Sequence, residues 1–274
     1  TLLNTKINYI KDTELNINFF EGSTKEEKLI NMITYANENG YKKVFVPSGT
    51  YDFSVLGTDT ITLPEGLDKI IIEGENARTT IFKYNHLQNK PFLRVKGGGG
   101  QMSLGYISNI TFKGNSTTTG VQLADICGYK IKDCIFSDNK IGVEFYNETG
   151  FTEYCVVEHC DFRAECISSV VYTKKTGNIH KSFHGCGLEN CCINQNESSS
   201  SGNIIIGTDC LIYNAPFNFT IWCRTDKPII EHNGDLLSFV YGTIKVETFG
   251  SNYNQLVDGV ELNLVGTMTS WGGY

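Results

Sequence analysis

A short segment recurs four times in the middle of the chain, and this repeat limits the folds that the sequence can adopt. The copies are ISNITF, IKDCIF, VEHCDF and LENCCI, at 107–112, 131–136, 157–162 and 188–193. Each reads apolar, polar, polar, Ile or Cys, a variable residue, then Phe or Ile. The fourth residues are separated by 24, 26 and 31 positions; they are Ile110, Cys134, Cys160 and Cys191. A recurring period of about 20–50 residues is the signature of a solenoid or a related repeat architecture.

A second series of short strands runs beside the first. Its members TGVQLAD, IGVEFYN and CISSVVY, at 119–125, 141–147 and 166–172, alternate small or apolar residues with polar ones. Aligning the members places Val121, Val143 and Ile167 at one position. Turns rich in Gly, Asn and Asp separate the strands, so each unit contains at least two strands. The sequence therefore predicts an all-β fold, a single-stranded right-handed parallel β-helix whose coils lie about 4.8 Å apart.

Equivalent side chains should form columns inside such a tube. A free Cys behaves as a compact apolar residue, so we expect Cys134, Cys160 and Cys191 to form a buried column of unoxidised thiols. Cys210 continues this series loosely. Phe112, Phe136 and Phe162 share another repeat position and are expected in the core; they are the last residues of the first three copies. Zinc is the competing interpretation, but CxxC is missing, Cys191 and Cys192 are adjacent, and the His residues lack ligand spacing. We therefore expect neither a metal nor another cofactor.

Charge and hydropathy exclude two classes of partner. The formal net charge is −7, whereas binding to nucleic-acid phosphates requires a basic surface. No apolar stretch approaches the roughly 18–20 residues that a membrane-spanning helix needs, so membrane insertion is not expected. A polysaccharide partner requires neither feature.

The N-terminal part differs from the repeat. Residues 24–39 predict a helix with Thr24 as N-cap, acidic residues in the first turn and an apolar stripe that includes Leu29 and Ile33. We therefore expect a lead-in over 1–20 and a β-helix over 21–240 that starts with this capping helix. Residues 241–274 read as further strands, which either continue the β-helix or form a trimerising element.

The helix is followed by a motif with a family resemblance. Residues 44–51 read VFVPSGTY, which is similar to the V-x-x-P-x-G-x-Y pattern at the pectate-lyase-like entrance of phage tailspikes and related β-helix proteins. A later I-x-G-x-x-x-x-x-T-x-I pattern is matched by Ile72, Gly74, Thr80 and Phe82, although Ile81 is shifted by one. The paired Asp-Asp that usually precedes the helix is replaced by Lys25-Glu26-Glu27. The resemblance covers roughly residues 20–240.

The resemblance implies a function and a setting. Proteins of this kind form parallel homotrimers, are made in the bacterial host cytoplasm, and assemble on the phage tail of the virion. They bind a bacterial surface polysaccharide such as capsule, O-antigen or teichoic acid, and many depolymerise it as hydrolases or lyases. Two alternatives remain: a non-catalytic receptor-binding spike of the same fold, and a secreted pectinolytic enzyme with oxidised cysteines.

Cleavage of a glycosidic bond requires an acid and a base around that bond. Glu153 lies seven residues before Cys160, and His184 lies seven residues before Cys191. The register therefore predicts that Glu153 and His184 occupy equivalent positions on adjacent coils, close enough for an ion pair or a hydrogen bond. Glu158 and Asp161 are the next carboxylates considered for catalysis. In the alternative interpretation, Glu153 caps a turn and His184 is a structural histidine.

Sugar rings stack on exposed aromatic faces, and loops that project from a rigid tube often bind ligands. The candidate substrate-binding residues are Tyr146, Tyr154, Tyr172, Lys174, Lys175 and Trp222. For Trp222, the sequence pattern favours burial and exposure equally. Lys174 and Lys175 are also typical of a solvated loop that binds no ligand. Glu144 lies on the outward face of the second strand series, where it could line a groove.

Overall fold

The computed structural model describes residues 15–39, 43–53, 60–63, 70–85, 88–98, 102–196, 201–225, 227–234, 237–249, 257–259 and 262–273. A short 3-10 helix, Ile17–Phe19, precedes the α-helix α1, Lys25–Asn39. The strands of the N-terminal half are β1 Leu15–Asn16, β2 Lys43–Val46, β3 Gly49–Asp52, β4 Ile61–Leu63, β5 Ile71–Gly74, β6 Thr80–Lys83, β7 Pro91–Lys96, β8 Tyr106–Ser108, β9 Thr111–Lys113, β10 Thr119–Ala124, β11 Lys130–Lys132 and β12 Ile135–Ser137. The strands of the C-terminal half are β13 Ile141–Asn147, β14 Val156–Glu158, β15 Asp161–Phe162, β16 Ser168–Lys174, β17 Ser182–His184, β18 Gly187–Asn194, β19 Ile204–Ile206, β20 Leu211–Cys223, β21 Ile230–His232, β22 Ser238–Phe249, β23 Val257–Gly259 and β24 Leu262–Gly273.

These strands form two long sheets that run the length of the tube. The second sheet has the order β23-β21-β19-β16-β13-β10-β7-β4, and the other sixteen strands make up the first sheet. Every pairing between the described strands is parallel. Neighbouring strands come from successive coils rather than from adjacent positions in the chain, which confirms the predicted right-handed parallel β-helix.

The predicted columns are present in the core. Ile135 pairs with Asp161, and Asp161 with Cys192, so Cys134, Cys160 and Cys191 lie one above another. All three thiols are buried, and none of the ten cysteines forms a disulfide. The next position above Cys191 is taken by Phe219, so the expected place of Cys210 in this column was wrong.

A column of phenylalanines lies beside the thiols. The rings of Phe112 and Phe136 stack with centroids 5.2 Å apart, and those of Phe136 and Phe162 with centroids 5.0 Å apart. All three side chains are fully buried. Aromatic stacking and burial of large apolar area both stabilise the tube.

A corner residue divides each coil of the first sheet. Asn109, Asp133, His159 and Asn190 occupy the third position of the repeat and all have φ between 52° and 58°. Asn, Asp and His tolerate this left-handed region better than most residues do. The corner turns the chain between one short strand and the next, for example between β14 and β15. It therefore creates two outward surfaces on each coil of the first sheet.

The register of the second sheet differs from the predicted alignment in one place. Val143 pairs with Val170, so the third member of the series is Val170 and the expected Ile167 was wrong. Residues 163–166 form an additional turn, in which the Cys166 amide donates to the Arg163 carbonyl at 2.9 Å. This turn shifts the inward position by three residues.

The N-terminal end of the tube is covered by α1. The Glu27 amide donates to Thr24 Oγ1, and the Glu27 carboxylate accepts hydrogen bonds from Ser23, so the predicted N-cap is present. Leu29 and Ala36 are buried in the core together with the first coil of strands. The helix agrees with the predicted 24–39, while most of the predicted lead-in lies outside the described residues.

The C-terminal strands continue the solenoid. β20 has 13 residues, β22 and β24 have 12 each, and the three strands pair in parallel. Since β22 runs through residue 240, the predicted domain boundary there does not correspond to a break in the β-helix. A trimerising role for these strands remains a prediction.

Candidate functional site

An open groove lies on the first sheet, beyond the His159 corner. Its cavity volume is about 520 Å³, and the residues that line it are His159, Cys160, Asp161, Asn190, Cys192, Asn194, Trp222 and Arg224. We call it the Trp222 groove. Strands β15, β18 and β20 supply its floor on three successive coils. Two of the predicted site residues, Asp161 and Trp222, therefore meet in one cavity.

Asp161 provides an ionisable group on this floor. Burial raises the pKa of its carboxyl above the ordinary value, and the charge of Glu165 adds to this effect. Arg163, whose Nε lies 3.5 Å from the carboxylate, and Arg78 partly oppose the rise in pKa. A carboxyl with a raised pKa retains its proton to higher pH, which suits a general acid.

Trp222 provides an aromatic surface in the same groove. Its indole Nε1 donates a 2.6 Å hydrogen bond to Glu247 on the next coil, which fixes the ring. The ring is partly exposed, and Asn194 is its register partner on the preceding coil. The amides of Asn190 and Asn194 also line the cavity, where they can bond to sugar hydroxyls.

The second predicted carboxylate, Glu158, lies on the other side of the His159 corner. Its carboxylate forms an ion pair with Lys130 at 3.2 Å. Glu158 is the register partner of Glu189 on the next coil, and Glu189 accepts a 2.9 Å hydrogen bond from Asn218. Glu158 thus neighbours the groove without lining it.

Glu153 and His184 do lie on adjacent coils, as the register predicts. Val156 pairs with Gly187, and the Tyr154 amide donates to the His184 carbonyl at 2.6 Å. However, the imidazole Nδ1 lies 3.1 Å from the Tyr154 hydroxyl, and the described residues show no ion pair between His184 and Glu153. The predicted side-chain contact was therefore wrong.

The reason lies in the backbone at Tyr154. Its φ of 53° directs the ring across the coil boundary toward His184. Gly185 leaves room for that ring, because a Cβ there would lie 2.8 Å from Tyr154 Cδ1. The tyrosine thus takes the place next to the imidazole that the register assigned to Glu153.

His184 belongs instead to a row of surface rings on successive coils. The centroid distances are 4.8 Å from Tyr154 to His184, 5.2 Å from His184 to Tyr213 and 6.1 Å from Tyr213 to Phe239. Tyr154, Tyr213 and Phe239 are 45%, 50% and 38% exposed. We call these four residues the aromatic ladder. Because the Tyr154 ring is exposed in this ladder, Tyr154 is still a candidate for binding sugar.

Two predicted substrate-binding residues are not accessible. Tyr172 is fully buried, stacks against Phe145 at 5.0 Å and donates its hydroxyl hydrogen to the Cys186 carbonyl. Only 9% of the Lys174 side chain is exposed, and its ammonium pairs with Asp209 at 2.9 Å. Both lie on β16, which extends to Lys174. Lys175 is exposed just beyond the strand.

A polar cluster on the second sheet was missed in part by the sequence interpretation. Arg94, Gln122 and Glu144 are register partners on β7, β10 and β13. Gln122 Nε2 and Thr173 Oγ1 donate to the Glu144 carboxylate at 2.7 and 2.6 Å. Burial raises the pKa of Glu144, while these hydrogen bonds and the charge of Arg94 lower it in part. The spacing of these residues along the second strand series was the signal available in the sequence.

Glu148 completes this cluster. It accepts a 2.7 Å hydrogen bond from Arg94 Nη2 and lies 3.3 Å from Lys96 Nζ. The predicted sugar-binding residue Tyr146 lies against Arg94, with the guanidinium carbon 5.8 Å from the ring centroid. Burial raises the pKa of the Tyr146 hydroxyl. Within the described residues the cluster is bonded internally, apart from the buried Arg94 Nε, which has no hydrogen-bond partner there.

Two other properties concern the whole described part of the chain. It contains no group of three or more His, Cys, Asp or Glu side chains arranged to hold a metal ion. The helices within it are too short or too polar to cross a membrane.

No protein-family model matches the chain, and no curated protein matches it. Among solved structures, ORF18 of Geobacillus virus E2 is similar, with a TM-score of 0.54, 17% identity, and coverage of 98% of this chain and 63% of the viral protein. This chain thus spans less than two thirds of the viral protein. A pectin methylesterase from carrot gives a TM-score of 0.45 at 9% identity, covering 83% of this chain and 73% of the esterase. Tailspike protein 3 of bacteriophage CBA120 gives 0.39 at 11% identity, covering 96% of this chain and 60% of the tailspike. At these identities the similarity shows the fold alone.

Proposed function

We propose that this protein binds a bacterial surface polysaccharide in the Trp222 groove and cleaves a glycosidic bond there. One observation supports this most strongly: an aromatic surface, two side-chain amides and a carboxyl with a raised pKa line the same open cavity. Sugar-binding sites combine these groups, because the ring stacks on a sugar face and the amides bond to hydroxyls. The tailspike resemblance of residues 44–51 and 72–82 points to the same class of ligand.

Asp161 is the proton donor in this proposal. A general acid protonates the leaving oxygen, and a second carboxylate acts as base or nucleophile. Glu158 is the proposed second carboxylate, and because it lies across the His159 corner, this role requires the sugar to extend from the groove over that corner. The proposal gives no acid–base role to Glu153 and His184, because the imidazole contacts Tyr154 instead. A lyase would use a base and a cation that neutralises a uronate; Arg224 lines the groove, and Arg163 lies beside Asp161.

The test is incubation with capsule, O-antigen and teichoic acid preparations. Reducing ends alone indicate a hydrolase, and reducing ends together with the ultraviolet absorbance of an unsaturated uronate indicate a lyase. Loss of a general acid typically costs about 10²–10⁴-fold in rate, so Asp161→Asn should lose at least about a hundredfold. The control is Asp52→Asn, which removes an exposed carboxylate that pairs with Lys83. Full activity of the Asp161 variant would overturn the assignment.

A non-catalytic receptor-binding spike is the second candidate function. The aromatic ladder favours it, since the ladder offers exposed rings for stacking and needs no acid–base pair. In that case the polysaccharide binds without releasing products. Binding would then weaken in Tyr213→Ala and remain unchanged in Asp161→Asn.

We also propose assembly as a parallel homotrimer on a phage tail, as the resemblance implies. The chain has a mass of 30.5 kDa, so sedimentation equilibrium of the purified protein should report three times this value. A mass of one chain at micromolar concentration would contradict the proposed trimer.

A further inference from the structure

A second cavity lies on the same face as the Trp222 groove, toward the N-terminal end of the tube. Its volume is about 430 Å³, and its lining residues are Arg78, Ile81, Thr111, Lys113, Ile135, Ser137 and Arg163. We call it the lower cavity. Three of these residues are cationic and none is acidic.

The two cavities share one floor. The outward residues at one position pair from coil to coil through six strands; they are Ile81, Thr111, Ile135, Asp161, Cys192 and Thr220. At about 4.8 Å per coil, this column is roughly 24 Å long. Arg163 lines the lower cavity and Asp161 lines the upper one, with 3.5 Å between Nε and the carboxylate. One extended ligand can therefore lie in both cavities.

The cations of the lower cavity are incompletely neutralised. Lys113 Nζ is 3.8 Å from Asp138, a distance too long for a strong hydrogen bond. Arg163 pairs only with Asp161 in the described part of the chain, and Arg78, whose charge also acts on Asp161, forms no close ion pair with any residue described there. The side chains of Lys113 and Arg163 are about half exposed, at 51% and 48%. The lower cavity is therefore locally positive, although the whole chain has a formal net charge of −7.

We propose that the lower cavity is a subsite for an acidic group on the polysaccharide, so that the substrate is an anionic glycan. Guanidinium groups bind carboxylate and phosphate oxygens through paired hydrogen bonds, and Arg78 and Arg163 both present such groups. The subsite adjoins Asp161, which places the acidic group near the bond to be cleaved. This inference rests on the proposed function, because it names the substrate class of the same groove.

The experiment measures binding of three defined probes: polygalacturonate, its methyl-esterified counterpart, and poly(glycerol phosphate). The test variant is Arg78→Gln/Lys113→Gln. The control, Lys28→Gln/Lys140→Gln, also removes two positive charges, one from α1 and one from the residue that precedes β13. We expect at least one anionic probe to bind, with affinity falling about tenfold or more in the test variant and less than twofold in the control. Comparing the affinities for polygalacturonate and poly(glycerol phosphate) shows whether the subsite prefers a carboxylate or a phosphate group.

Salt provides an independent measurement. Half-exposed charges are screened at physiological ionic strength, where the Debye length is about 8 Å. The affinity of the wild-type protein for the anionic probe should therefore fall as the salt concentration rises. This salt dependence should be smaller in the test variant and unchanged in the control variant. Equal losses in both variants, or equal binding of the esterified probe, would overturn the inference. Cleavage of a neutral glycan would contradict the anionic subsite and leave the proposed function intact. Binding of an anionic probe without cleavage of any glycan would support the subsite and contradict the proposed cleavage.

Discussion

Replacing Phe136 by alanine should strongly destabilise the β-helix. The side chain is fully buried, and truncation of a buried Phe to Ala typically costs about 3–5 kcal/mol. Two stacked contacts are lost as well, with Phe112 at 5.2 Å and with Phe162 at 5.0 Å, and such pairs contribute about 0.5–1.5 kcal/mol each. Because the cost of truncating a buried Phe already includes part of these lost aromatic contacts, we expect the free energy of unfolding to fall by roughly 4–5 kcal/mol.

Guanidinium unfolding followed by far-ultraviolet circular dichroism measures this change. The matched control is Phe151→Ala, because Phe151 is only partly buried and contacts His180 at a centroid distance of 5.5 Å. We expect the control to lose about 1 kcal/mol, as a typical substitution does. A loss in Phe136→Ala as small as in the control would refute the stacked column as a source of stability.

Three further predictions concern ionisation, thiols and the ladder. The folded protein raises the pKa of Glu144, so its ionisation opposes folding; wild type should therefore lose stability relative to Glu144→Gln as pH rises from about 4 to 7 in thermal melts, and a constant difference would contradict this. A thiol reagent should react rapidly with at most the partly exposed Cys192 in native protein and with ten thiols in denaturant; several fast native thiols would contradict the buried column. If the ladder contributes to binding, Tyr213→Ala should weaken polysaccharide affinity several-fold in titration calorimetry, since exposed rings stack on sugars, and unchanged affinity would exclude that contribution.

The fold could be predicted because its main determinant is visible as a repeat. Apolar residues and thiols at one repeat position must stack if the chain is a solenoid, and Cys134, Cys160 and Cys191 do so. The third repeat position held information that was not used. Its Asn, Asp and His residues form the left-handed corners, and the sequence interpretation treated them only as polar.

The site was predictable only where the register decides which way a side chain points. Asp161 and Trp222 alternate with buried neighbours, and both face the groove. The interpretation failed at Tyr172, which lies on the predicted second strand series but faces the core, and at His184. There the register gave the correct coil, but the positive φ of Tyr154 determined which side chain reaches the imidazole. Backbone conformation at one residue is not visible in repeat spacing.

The most direct test of the proposed site is a crystal structure of Asp161→Asn with an oligosaccharide prepared from the polysaccharide that the wild-type protein binds. We expect one sugar ring to stack on Trp222 and an acidic group to lie between Arg78 and Arg163. Sugar bound instead at the aromatic ladder or beside Glu144, with the groove empty, would contradict the account.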